Sequence, residues 1–67
     1  MPDSDVDELL HQLNNQLGII LANAELLENR LTDENHKARA GLVVTGALDA
    51  IGTAKRIKQL TRGTSLP

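Results

Sequence analysis

The chain has no Phe, Tyr or Trp, no Cys, a single Met at its start, and Pro only at positions 2 and 67. Without aromatic rings there are no platforms on which the bases of a single-stranded nucleic acid could stack, and the core must come from Leu, Ile, Val and Ala. Such a core is thin and suits close helix packing. Without Cys, neither a disulfide framework nor a thiolate metal site is available, and nothing argues for an oxidising compartment. No segment approaches the roughly 20 uninterrupted apolar residues of a membrane span. The first five residues, MPDSD, are acidic and polar where a signal peptide is basic and then apolar, so a cytoplasmic location is expected. Sixty-seven residues suffice for one domain, and a chain this short buries a small share of its surface unless oligomerisation helps.

The formal net charge of −2 hides an asymmetry. Residues 1–34 carry Asp3, Asp5, Asp7, Glu8, Glu25, Glu28, Asp33 and Glu34 against Arg30, whereas the remainder carries Lys37, Arg39, Lys55, Arg56, Lys58 and Arg62 against Asp49. An acidic first half and a basic second half suit the two helices of one hairpin.

Val6, Leu10, Leu13, Leu17, Ile20, Ala24, Leu27 and Leu31 follow one another at steps of three and four, the heptad seam of a helix lying along a partner helix. Ser4 is placed to cap this helix with Asp7 three residues on, and Asp5, Asp7 and Glu8 put negative charge where the helix dipole favours it. At about 100° per residue His11 falls well round the helix from the seam. Asn15, Gly18 and Ala22 share its stripe, with Ile19 and Leu26 beside them, which has the look of a docking face. An interior Gly costs about 1 kcal/mol relative to Ala, so Gly18 is expected either to let a partner helix approach or to serve function.

Thr32 or Asp33 is expected to cap a second helix after the break LTDEN. Its seam is looser (Ala40, Val43, Val44, Ala47, Ile51, Ala54, Ile57) and Gly41, Gly46 and Gly52 interrupt it, so packing must hold it. A strand over 42–45 has no second strand to pair with. The basic cluster from Lys55 to Arg62 matches the dipole at the helix end, before Gly63. The spacing therefore predicts an all-α chain: helix one over about 4–31, helix two over about 33–62, a short connection, and an antiparallel hairpin whose basic end lies beside His11. Two helices cannot cover their apolar faces alone, and two copies forming a homodimeric four-helix bundle solve this.

The run HQLNNQLGIILANAELLENRL resembles the histidine-bearing helix of the dimerisation and histidine phosphotransfer (DHp, HisKA-like) domain of sensor histidine kinases, and ALDAIGTAKRIKQLTR looks like that domain's second helix. The resemblance covers nearly the whole chain. It implies a two-component signalling module in which His11 accepts a phosphoryl group, Asn15 helps position water in dephosphorylation, and a response-regulator receiver domain docks against Gly18, Ile19, Ala22 and Leu26. Gln12 stands where the family mostly has Glu or Asp, and Gln16 where many members have Pro. An amide cannot act as a general base, though its oxygen can orient the imidazole ring. This favours phosphotransfer from a receiver, or phosphatase action, over efficient autophosphorylation.

The chemistry suits imidazole, whose free-base nitrogen is nucleophilic near neutral pH and forms a phosphoramidate that can pass its phosphoryl group to an aspartate. Phosphoryl transfer asks a protein chiefly for positioning and charge stabilisation. No nucleotide site is expected, because the Gly41–Gly46 stretch lacks the Lys-Ser/Thr of a P-loop. ATP and Mg²⁺ belong to a partner ATP-binding kinase domain, no cofactor belongs to this chain, and no HExxH or acidic cluster marks a metal site. His36 is expected to be a surface residue near the turn. The competing class is a non-catalytic dimeric helical interaction protein that binds a kinase or response regulator without phosphotransfer. A helix-turn-helix reading with residues 54–62 as recognition helix fits poorly with the net acidic charge, so nucleic acid is not expected as a partner.

Overall fold

The computed structural model describes residues 3–65, and the side chains of residues 5–61. Two long helices, α1 (Asp3–Arg30) and α2 (Glu34–Ser65), pack against each other as an antiparallel hairpin. Among the described residues no helix is long and apolar enough to cross a membrane. Its extents of 53 × 15 × 12 Å are those of a rod one helix thick by two wide. Residues 42–45 are helical, and Thr45 donates its hydroxyl to the Gly41 carbonyl at 3.1 Å.

The turn is built by Asp33. Its carboxylate Oδ2 accepts the His36 backbone N–H at 2.9 Å, and its carbonyl accepts the Lys37 N–H at 2.8 Å, so Asp33 caps α2. α1 begins at Asp3, one residue earlier than expected, which puts Ser4 inside the first turn; the side chain of Ser4 lies outside the described residues. α2 runs on through Gly63 to Ser65 rather than stopping at 62. No described glycine adopts a positive φ, so Gly63 continues the helix instead of closing it.

The hairpin seam is made chiefly by alanine. Leu10 and Ala24 of α1 and Ala40, Ala47 and Ala54 of α2 are buried, with Ala54 1% exposed. The three alanines of α2 recur every seventh residue, a spacing that lets two helices lie close along their whole length. Half-buried Leu17, Leu21, Leu31, Val44 and Ile51 fill in around them.

This seam corrects the one expected from periodicity. Leu10, Leu17, Ala24 and Leu31 belong to it, but they alternate with Asn14, Leu21 and Glu28. Leu13, Ile20 and Leu27 are instead 39%, 48% and 57% exposed. Both sets continue the three-and-four spacing from the same shared residues, and α2 lies on the less apolar flank. On α2 the same happens: Val43 and Ile57, expected in the seam, are 49% and 43% exposed, while Val44, Ile51 and Lys58 turn inward. The Asn14 side chain brings a carbonyl oxygen, Oδ1, into the seam without a hydrogen-bond partner.

Candidate functional site

Since both helices are right-handed and run antiparallel, equal rotations from the seam carry their residues to the same side of the hairpin. The residue after each seam position therefore lines one face: His11, Gly18 and Glu25 of α1 with Gly41, Leu48 and Lys55 of α2. The residue three after each seam position lines the opposite face: Leu13, Ile20 and Leu27 with Val43, Ala50 and Ile57. The Gly41 position agrees with this geometry, since a Cβ built there would meet Glu28 Oε2 at 3.1 Å across the seam.

His11 is exposed on the first face. From it, Asn15, Gly18 and Ala22 lie within about 40° of rotation, forming one stripe along α1. Asn15 and Ala22 are exposed and Gly18 is half-buried. Ile19 and Leu26, 62% and 52% exposed, flank the stripe on the side away from α2. Gln12 is also exposed, one residue round from His11. The Asn23 amide group, farther round α1, donates to the Ile19 carbonyl at 2.9 Å.

Gly18 does not serve the hairpin. A Cβ built at Gly18 meets nothing within 4 Å, so α2 would not be displaced by a side chain there. The expected approach of the partner helix at a glycine occurs instead at Gly41, under Glu28. Gly18 therefore gives up helix propensity at a place that is open on the hairpin surface.

Across the seam, Leu48, 53% exposed, and Lys55 share the His11 face and were absent from the stripe drawn on α1 alone. They become legible once Ala47 and Ala54 are known to be the seam, because each follows one of these alanines by one residue. Counting from the Glu28–Gly41 contact down the antiparallel pair puts His11 level with the turn that contains Lys55 and Lys58. The basic end of α2 does lie beside His11. Lys55 shares its face, Lys58 is half-buried in the seam and Arg56 turns outward, while the Arg62 side chain lies outside the described residues.

Among the described residues no ion pair joins α1 to α2, and within the turn His36 Nδ1 lies 3.0 Å from Asp33 Oδ2. His36 is exposed beside the turn. Among the described residues no pocket is found, and no three His, Cys, Asp or Glu side chains gather as a metal site would require. The site is thus an open helical face, suited to contact with a folded partner and not to enclosing a small molecule.

Comparison with protein-family models, with curated proteins and with solved structures finds no match to this chain.

Proposed function

We propose that the hairpin is a histidine phosphotransfer and dimerisation module of two-component signalling type, acting as a homodimeric four-helix bundle that docks a receiver domain. The observation that carries this reading is the position of His11. It stands exposed on a face that the seam does not use, with Asn15 one turn on, open Gly18 beyond it and Lys55 across the seam.

In this reading an imidazole nitrogen of His11 attacks the phosphorus of the receiver's aspartyl phosphate. The new N–P bond forms as the P–O bond to the aspartate breaks, the carboxylate leaves, and the ring proton passes to water. Lys55 contributes positive charge near the transferring group. Asn15 holds water for hydrolysis of the aspartyl phosphate, while Gln12, without a basic group, only orients the ring. A receiver helix lies along the Asn15–Gly18–Ala22 stripe with Ile19 and Leu26 giving apolar contact. Phosphorylation from ATP requires a separate kinase domain, which supplies nucleotide and Mg²⁺.

The test is incubation of the chain with receiver domains phosphorylated by acetyl phosphate, followed by mass measurement. An acid-labile phosphoryl group on this chain, absent from His11→Ala of equal helicity, is the expected result. If His11→Ala acquires the same modification, or the unmodified chain acquires none, phosphotransfer is overturned and the non-catalytic docking alternative takes its place. Gly18→Leu separates docking from chemistry. It should fold at least as well on helix propensity, with nothing within 4 Å of its Cβ, yet lose receiver binding by steric clash.

A further inference from the structure

The seam changes character along its length. From Leu17 and Ile51 to the turn, its members are Leu, Ile, Val and Ala apart from Glu28. Toward the end that holds His11, Asp7 and Asn14 of α1 and Lys58 and Thr61 of α2 take seam positions as half-buried residues, and Leu10 and Ala54 are the apolar members.

Apolar area removed from water is the term that holds two helices together, and the His11 half of the seam has less of it. Among the described residues no ion pair crosses the seam to make up the difference, although Asp7 and Lys58 both sit in it. The Asn14 Oδ1 atom has no hydrogen-bond partner, so parting the helices at this level returns to it the water it gives up on packing.

The two halves meet at Gly52. Counting along the antiparallel pair from the Glu28–Gly41 contact puts Gly52 level with Leu17, the point at which the seam changes. A Cβ built at Gly52 meets nothing within 4 Å, so no close approach requires a glycine there. Its effect is conformational, since an interior glycine loses more backbone freedom on folding than any other residue and weakens the helix at that point. The next residue adds to this, because the Thr53 hydroxyl donates to the Asp49 carbonyl at 3.1 Å, a back-bond of the kind that weakens and bends helices.

We infer that α2 from Thr53 onward is a strap hinged at Gly52, which lifts off α1 as one unit while α2 from Glu34 to Ile51 stays packed. A helix of about 13 residues is marginal in water without packing, so the strap melts as it lifts. Lys55 and Lys58 leave the side of His11 with it, and Leu10 and Asn14 meet water. Local opening of this kind takes less free energy than global unfolding. The motion stands on the seam and the hinge alone. Its consequence, that the positive charge of Lys55 and Lys58 stands beside His11 only with the strap down, rests on the phosphotransfer reading above.

Alanines on the two sides of the hinge provide the test, since the chain has no Cys. Ala47 is 6% exposed and Ala54 1%, so burial alone gives the thiol of Ala54→Cys no advantage over that of Ala47→Cys. With the strap, iodoacetamide should modify Ala54→Cys faster by about tenfold or more. Low concentrations of urea should accelerate Ala47→Cys more strongly, because its exposure awaits unfolding of the whole hairpin. Equal rates, or a faster Ala47→Cys, would overturn the strap. Native-state amide exchange of the unmodified chain removes any effect of the added sulfur. One common protection over residues 54–60, rising in a step on passing Gly52, is expected; a uniform value along α2, or a smooth gradient from its end as in fraying, overturns the hinge. Both readouts are taken without a receiver or phosphate, so failure of the strap and failure of phosphotransfer are told apart.

Discussion

Asp33 Oδ2 takes the His36 backbone N–H at 2.9 Å and stands 3.0 Å from Nδ1 of the same residue, so one carboxylate caps α2 and holds the ring beside it. The turn between the helices is fixed at this point. Asp33→Ala should remove the cap at a cost of about 1 kcal/mol, lowering the melting temperature followed by circular dichroism by about 4–8 °C. Thr32→Ala should leave it unchanged. A larger loss at Thr32 than at Asp33 would contradict the capping geometry.

Asn14 carries a buried carbonyl oxygen with no partner in the seam. An unsatisfied buried acceptor costs about 1–3 kcal/mol, and an apolar side chain of similar size recovers much of it. Asn14→Leu should therefore raise the midpoint of urea unfolding. A lowered midpoint would show that the amide is satisfied in solution.

Ala54 is 1% exposed and lies in the seam near the His11 end. Ala54→Leu must push the helices apart, with an expected cost of about 1–3 kcal/mol from overpacking. Leu60→Ala on the same helix, where the side chain is 69% exposed, should change the stability of the isolated hairpin much less. Comparison of their urea midpoints checks the order.

The glycines of α2 should respond differently to alanine. A Cβ at Gly46 meets nothing within 4 Å, so Gly46→Ala should gain about 1 kcal/mol from helix propensity alone. At Gly41 the new carbon would lie 3.1 Å from Glu28 Oε2, the far end of a flexible side chain that must swing aside. Gly41→Ala should gain less. Equal gains by differential scanning calorimetry would mean that Glu28 does not lie over Gly41.

Much of the fold was legible in the residues. Three-and-four spacing of aliphatic residues, the break at LTDEN and the absence of interior Pro determined two long helices joined by a short turn, and a turn that short makes them antiparallel. Asp33 was one of two named caps, and His11 was placed off the seam by rotation alone. Helix ends were less legible, because a glycine such as Gly63 ends a helix only if the chain takes up a positive φ there.

Which flank of each helix meets the other was decided by the tertiary structure. Leu10, Leu17, Ala24 and Leu31 sit at the centre of an apolar band wider than one seam, with Leu13, Ile20 and Leu27 on one side and Asn14, Leu21 and Glu28 on the other. Periodicity sets the direction of the band but cannot say to which side the three-residue connection swings α2. The connection swings it to the side of Asn14 and Glu28, where Ala40, Ala47 and Ala54 pack closely, and this choice leaves the more apolar flank uncovered. The companions of His11 across the seam, Leu48 and Lys55, depend on the same swing. A rotation counted along one helix cannot place a residue on another until the contact line between them is known.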